Sequence, residues 1–356
     1  MPNRTNGVKE YTWGAKRSKG KLIAVLAIVL IAGATVAGFL FFSREEKSAG
    51  PTVNVNGEEM IARKIDGVLV PVQRSNLFPV GVMIENLVSS RPPSGLSEAN
   101  VVYEALAEGG ITRFLALYAS GYEIPKIGPI RSARLYYLDW VQEYGALYAH
   151  VGGSPEALQQ IAAREIFDFN QFFNSQYFWR DTDRSAPHNV YTSSEKLTFA
   201  LRDLEAQSEG GYDSWAFKED APQSSRPVEG KTIEIDFSSI NYRVSYQYDL
   251  TENTYIRSLG GKLHVDSDDR QVKAKNVIVQ FVETSLSDGE GRLSMKTTGE
   301  GRVLVFRDGA VIEGTWRKDS SDARTEFFDS TNTAIELNAG TIWVEVVPSD
   351  REVTYT

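Results

Sequence analysis

Arg131 and Arg134 stand three residues apart in GPIRSAR (128–134), where an apolar helix is expected to begin. A helix N-terminus carries partial positive charge and four unpaired N–H groups, so cations there need an anion. Guanidinium groups pair equally well with carboxylate and phosphate. The anion is then either a carboxylate of the chain, with Glu104, Glu108 and Asp181 as candidates, or a bound ligand.

Three further stretches carry polar chemistry. EALAEGGITR (104–113) places Glu104, Glu108 and Arg113 around a Gly-Gly turn. HVGGSPEA (150–157) sets His150 at a strand end, followed by Gly152, Gly153 and Ser154 before a helix start. Glycines let backbone N–H groups approach an anion, and the helix end adds its dipole. The same residues also make an ordinary strand-to-helix turn. No Gly-Lys-Ser/Thr follows, so this is not a Walker loop. WRDTDRSAPHNVY (179–191) supplies Arg180, Asp181, Arg184, His188 and Asn189. The candidate ligand site is Arg131, Ser132, Arg134, Gly152, Gly153, Ser154, Arg180, Arg184, His188 and Asn189; Glu104, Glu108 and Arg113 support it.

A histidine can serve as general base or metal ligand. His150 or His188, with Glu108 or Asp181 as orienter, gives a catalytic reading. Neither histidine has zinc-site spacing, and GxSxG is absent. No metal and no cofactor is expected. Eight aromatics lie between 167 and 191, either as core or as a stacking platform for sugars.

These residues need elements to hold them. VGVMIEN (80–86), VVYEALA (101–107), TRFLALYA (112–119) and ALYAHV (146–151) read as strands. SARLYYLDWVQEYG (132–145) reads as a helix capped by Ser132, with Leu135, Leu138, Val141 and Tyr144 on one face. Ser154 with Pro155 opens a second helix, and Ser193 or Ser194 a third. IDGVLVPV (65–72) carries an Asp-Gly hairpin signal. KEDAPQSSRPVEG (218–230) reads as a linker. Beyond it TIEIDF, YRVSYQYDL, NVIVQFVE, GRVLVFRDG, AVIEGTW and TIWVEVV alternate with period two. RDGA between two of them is a hairpin signal. The expectation is an α/β or α+β domain over 61–217, followed by an all-β sandwich or barrel over 231–356.

Residues 22–42, LIAVLAIVLIAGATVAGFLFF, contain no charge. At about 1.5 Å per residue they are long enough to cross a hydrocarbon core of about 30 Å. Six basic residues against Glu10 give residues 1–21 a charge of +5, leaving −14 of the total −9 for the rest. The positive-inside rule keeps this tail cytoplasmic and places the remainder outside, behind a stalk at 43–60. The acidic body argues against nucleic-acid binding. The absence of cysteine excludes disulfides, a thiol nucleophile and lipid attachment to cysteine.

VMIENLVSSRPPSGLSEANVVYEALAEGGITRFLALY, IGPIRSARLYY, HVGGSPEAL and WRDTDRSAPHNVY resemble the YerB-like family of bacterial proteins, the family of unknown function numbered 3048. NVIVQFVE, VLVFRDGAVIEGTW and AGTIWVEVVP are similar to that family's second domain. The resemblance spans roughly residues 60–350 and implies a two-domain bacterial envelope protein. Many members look like lipoproteins with a lipobox cysteine, which this chain lacks. The family supplies no activity.

Three functions follow. The leading one is a single-pass, membrane-anchored extracytoplasmic module that binds an anionic envelope polymer or peptidoglycan fragment. The second is a cell-wall hydrolase or transferase using histidine and carboxylate. The third is a scaffold that holds another membrane protein through the β domain.

Overall fold

Apolar runs with period two pair into a ten-stranded mixed sheet. Its strands are β1 (Val80–Glu85), β2 (Val101–Leu106), β3 (Thr112–Tyr118), β4 (Leu147–His150), β5 (Asp168–Asn170), β6 (Asn276–Val282), β7 (Gly299–Arg307), β8 (Ala310–Lys318), β9 (Glu326–Asp329) and β10 (Ile342–Pro348). Their order is β9-β8-β7-β6-β10-β2-β3-β1-β4-β5. β10 runs parallel to both β2 and β6, and β1, β4 and β5 are mutually parallel neighbours. The helices are α1 (Leu135–Gln142), α2 (Pro155–Ala163) and α3 (Ser194–Asp203).

Alternation along β2 assigns its two faces. Tyr103 stacks on Trp140 of α1, with ring centroids 5.3 Å apart. Tyr137 donates its hydroxyl to the carbonyls of Ala105 (3.1 Å) and Arg113 (2.6 Å), fixing α1 over β2 and β3. Glu104 points the other way, onto Arg257 of a six-stranded sheet built from residues 232–274 and 353–355. The core is thus layered as helix, large sheet and small sheet.

The computed structural model describes residues 52–119 and 121–356, which belong to one compact unit. Residues 231–356 supply strands and one short 3-10 turn, in line with the β pattern. They do not form a separate body. β6 to β10 continue the sheet begun by β1 to β5, because β10 pairs in register with β2 from Ile342↔Val101 to Val346↔Ala105. Segment 218–230 is not a free linker either. Phe217–Lys218 pairs with Leu337–Asn338, and Lys218 bridges to Asp308 (2.7 Å).

The stalk expectation changes as well. Val53–Val55 and Glu58–Ala62 pair with each other, and Leu69–Pro71 adds the third strand around the Asp66-Gly67 turn. The apolar segment 22–42, the basic tail and residues 43–51 lie outside the described residues. Among the described residues no helix is long and apolar enough to cross a membrane.

Local signals hold at several points. Ser154 caps α2 by accepting from Ala157 N (3.2 Å), and Ser193 caps α3 by accepting from Lys196 N (3.2 Å). Asp308 and Gly309 take positive φ in the β7–β8 hairpin, as a two-residue turn of this hand requires. Ser132 does not cap α1. The N-cap is Arg134, in extended backbone and with no side-chain cap. The reason is pairing. Arg131 N donates to Met83 O (2.9 Å), and Val151 N donates to Arg131 O (3.0 Å). Residues 130–133 are thereby drawn into an extended path between β1 and the exit of β4.

Candidate functional site

β1, β4 and β5 end side by side, at Glu85, His150 and Asn170. A crevice beyond the carboxyl ends of parallel strands is where open sheets place ligands. Here the loops after β4 and β5 enclose a cleft of about 1010 Å³. Arg131, Ser132, Gly152, Gly153 and Arg180 line it, so five of the expected site residues meet there. Asp168, Asn170, Phe172 and Phe173 complete its polar and aromatic walls.

The loop geometry is built from buried polar groups. Asn170 is 4% exposed, and its Oδ1 accepts from Gly152 N (3.1 Å) and Phe172 N (3.2 Å). Gly152 has φ +60°, and a Cβ there would stand 3.0 Å from the Phe172 ring. Both features favour glycine. His150 is fully buried, with Nδ1 2.7 Å from Gly152 O and Nε2 2.7 Å from Asp168 Oδ1. Both ring nitrogens are engaged, so His150 orients Asp168 and does not face the cleft as a free base.

Most of the arginines have partners inside the chain. Arg134 forms a two-point pair with Glu108. Burial alone would raise the Glu108 carboxyl; hydrogen bonds and charge from Arg134 outweigh it and hold the group below its usual value. Arg131 Nε lies 3.1 Å from Glu85 Oε1. His188 Nδ1 donates to the other oxygen of Glu85 at 2.5 Å. Glu85, and not Glu108 or Asp181, is the carboxylate placed against His188. Asp181 instead pairs with Lys126, and that hydrogen bond, with the Asp183 N–H, lowers its carboxyl.

Other expected members serve the frame. Arg184 donates to the carbonyls of Ser90 and Pro92, the latter at 2.8 Å. Asn189 Nδ2 donates to the carbonyls of Asp181 and Arg184, both at 3.2 Å. Arg113 is buried and donates to Ser132 O (2.8 Å), which ties β3 to the cleft wall. Glu104 lies away from this cluster, on the opposite face of the sheet. Arg180 is exposed in the cleft and donates to Asn189 Oδ1 (2.9 Å); like Arg113 and Arg184 it has no carboxylate partner among the described residues, but unlike them it lines the cleft.

Sequence reasoning missed Glu85, Asp168 and Asn170 as individuals. Glu85 ends an apolar strand, a position where a lone carboxylate has to find a partner. Asp168 and Asn170 sit inside the aromatic run, where alternation about Phe169 was their one signal. Among the described residues no group of three or more His, Cys, Asp or Glu side chains is placed to hold a metal.

Fold and cleft together define a β-rich, mixed-sheet protein with a polar, aromatic-rimmed crevice at its parallel strand ends. The chain belongs to the DUF3048 family of proteins of unknown function: residues 67–207 match its N-terminal domain and residues 233–344 its C-terminal domain. It is 30% identical over 286 residues to the "Putative lipoprotein YerB" of Bacillus subtilis (strain 168), covering 79% of this chain and 84% of that protein. The crystal structure of YerB from Bacillus subtilis superposes with a TM-score of 0.75 at 28% identity, over 83% of this chain and 99% of that one.

Proposed function

We propose that this chain is an envelope protein, anchored through residues 22–42, whose cleft binds an anionic component of the bacterial cell envelope. The lipoprotein name of its relative supports the envelope setting. Having no cysteine, this chain needs another anchor, and the uncharged 21-residue segment supplies one. The observation that carries the binding reading is Arg180. It stands in a formed cleft with no acidic partner, while Arg131 and Arg134 are neutralised by Glu85 and Glu108. A guanidinium without an acidic partner in a crevice is suited to a ligand carboxylate or phosphate.

The test is calorimetric titration of the full-length chain with a muramyl-peptide fragment and with a glycerol-phosphate oligomer. Binding of either, weakened about tenfold or more by Arg180→Ala, supports the reading. Equal affinities in wild type and variant sink it.

A second reading, a wall hydrolase, has the Glu85–His188 pair in its favour. A carboxylate on Nδ1 orients the imidazole and leaves Nε2 as its proton-accepting nitrogen. Release of soluble fragments from purified wall, abolished by His188→Ala, would establish it. No release by the wild-type chain would remove it.

A further inference from the structure

The aromatic run has a second role beyond the core. Phe169 and Phe178 are buried and pack on each other, with ring centroids 5.2 Å apart. Phe172 and Phe173, between them in sequence, are 65% and 81% exposed. Burying a phenylalanine side chain is worth about 1.5–3 kcal/mol, so a chain that leaves two adjacent rings in water forgoes that stabilisation twice.

The exposure is imposed by buried structure. Asn170 holds the Phe172 N–H and the Gly152 N–H on one oxygen. Phe173 N and Asn174 N both donate to Asn170 O, at 3.0 Å and 3.2 Å. Residues 170–174 are thus a tight turn fastened to the β4 exit. The Phe172 ring lies against Gly152, where only a missing Cβ makes room for it. One side of the ring lies near Gly152, and the residue is 65% exposed at the rim of the cleft. Tyr177 anchors the far side of the loop by donating to Asp203 Oδ2 of α3 (2.8 Å). The backbone of both phenylalanines is fixed by these bonds, and their side chains rim the same cleft as Asp168, Arg131 and Arg180.

An aromatic face beside a carboxylate and guanidinium groups suits a particular chemistry. A pyranose ring has an apolar face of axial C–H groups, which packs on an aromatic ring, and an edge of hydroxyls. A carboxylate accepts from hydroxyls, and guanidinium donates to their oxygens. A lipid surface would meet Asp168 and Glu165 in the same cleft, at the cost of desolvating carboxylates. Phosphate alone would leave the rings uncovered.

We propose that Phe172 and Phe173 form a stacking platform for a saccharide strand, with Asp168 binding its hydroxyls. This rests on the reading of the cleft as a ligand site and specifies its ligand as a glycan. The acidic group recognised by Arg180 would then be a substituent of that glycan.

The test uses a neutral probe, the N-acetylglucosamine tetramer, titrated into the full-length chain by calorimetry. Wild type is expected to bind. Phe172→Ala is expected to weaken binding about tenfold or more, and Phe172→Tyr to retain it, because a tyrosine keeps the ring face. Both side chains are exposed, so these variants are expected to keep the wild-type melting temperature, which is measured alongside. Asp168→Asn provides a second variant away from the rings and is also expected to weaken binding. No binding of the tetramer overturns the platform, as does equal affinity in Phe172→Ala. If the muramyl-peptide fragment or the glycerol-phosphate oligomer still binds through Arg180 in that case, the anion reading stands without the platform. If neither the tetramer nor those anions bind, both fail.

Discussion

Arg257 is the cation of a fully buried polar cluster between the two sheets, and replacing it with methionine has a calculable consequence. Arg257, Glu104 and Glu345 have no side-chain exposure. The guanidinium pairs with Glu104, donates from Nε to Tyr246 Oη (3.1 Å), and lies 4.4 Å from the centre of the Trp343 ring. Glu345 accepts from Tyr246 Oη at 2.5 Å. Burial, and then the charge of Glu104, push the Glu345 carboxyl well above its usual value. Glu345 is thereby pushed towards its protonated form, and Arg257 with Glu104 is the ion pair of the cluster. Arg257→Met leaves Glu104 buried, supported by hydrogen bonds from Thr112 (2.5 Å) and Asn86 (3.3 Å) but by no ion pair. Breaking a buried pair from one side costs about 3–5 kcal/mol, a large part of a domain stability of about 5–15 kcal/mol. The pH dependence has a definite sign. A carboxyl raised in the folded state contributes stability that is fully present below its unfolded value of about 4.3 and is lost as pH rises towards its folded value. Glu345→Gln removes that slope, so its stability relative to wild type should improve from pH 5 to pH 9. The assay is urea unfolding followed by tryptophan fluorescence at pH 5, 7 and 9. A cost below about 1 kcal/mol for Arg257→Met at pH 7, or a Glu345→Gln effect independent of pH, would refute this assignment of charges.

Two further outcomes follow from the same geometry. The Glu108 carboxyl is lowered in the folded state, so the stability it contributes is present above about pH 4.3 and fades as pH falls through its lowered value. The melting-temperature deficit of Glu108→Gln should therefore shrink below pH 4, and equal deficits at pH 3 and pH 7 would contradict it. Ser154→Ala removes the α2 cap and should cost about 1 kcal/mol in urea unfolding; no change would mean that the β4 exit alone holds that helix start.

Local signals carried much of the fold. Strands β1 to β4, the caps at Ser154 and Ser193 and the Asp308-Gly309 turn were legible because alternation, capping and turn chemistry act over a few residues. The sheet was not. TIWVEVV reads as a strand, but nothing in it says that it lies parallel between β2 and β6 and joins the two halves of the chain. The composition shift at 218–230 looked like a domain limit because Pro and Ser mark exposed segments, whether or not they are tethered. Within the site, GPIRSAR, the Gly-Gly turn and WRDTDR were found as types of residue. Their partners were found less well. Glu108 was among the carboxylates expected for the arginines, whereas Glu85 meets Arg131 only because Arg131 pairs with β1 through its backbone. The spacing of Arg131 and Arg134 suggested one helix start. In the fold, Arg131 faces the cleft and Arg134 closes a different pair with Glu108.

The central claim is that the crevice at the ends of β1, β4 and β5 is a ligand site. Thermal unfolding of the full-length chain with soluble wall fragments tests it most directly. A ligand of the folded state at 100 times its dissociation constant should add about 2.7 kcal/mol, seen as a rise in melting temperature. The expected result is such a rise with glycan or muramyl-peptide fragments, abolished in an Arg180→Ala, Phe172→Ala double variant that melts like wild type in the absence of ligand. A rise of the same size in that variant would place the ligand elsewhere on the molecule and contradict the claim.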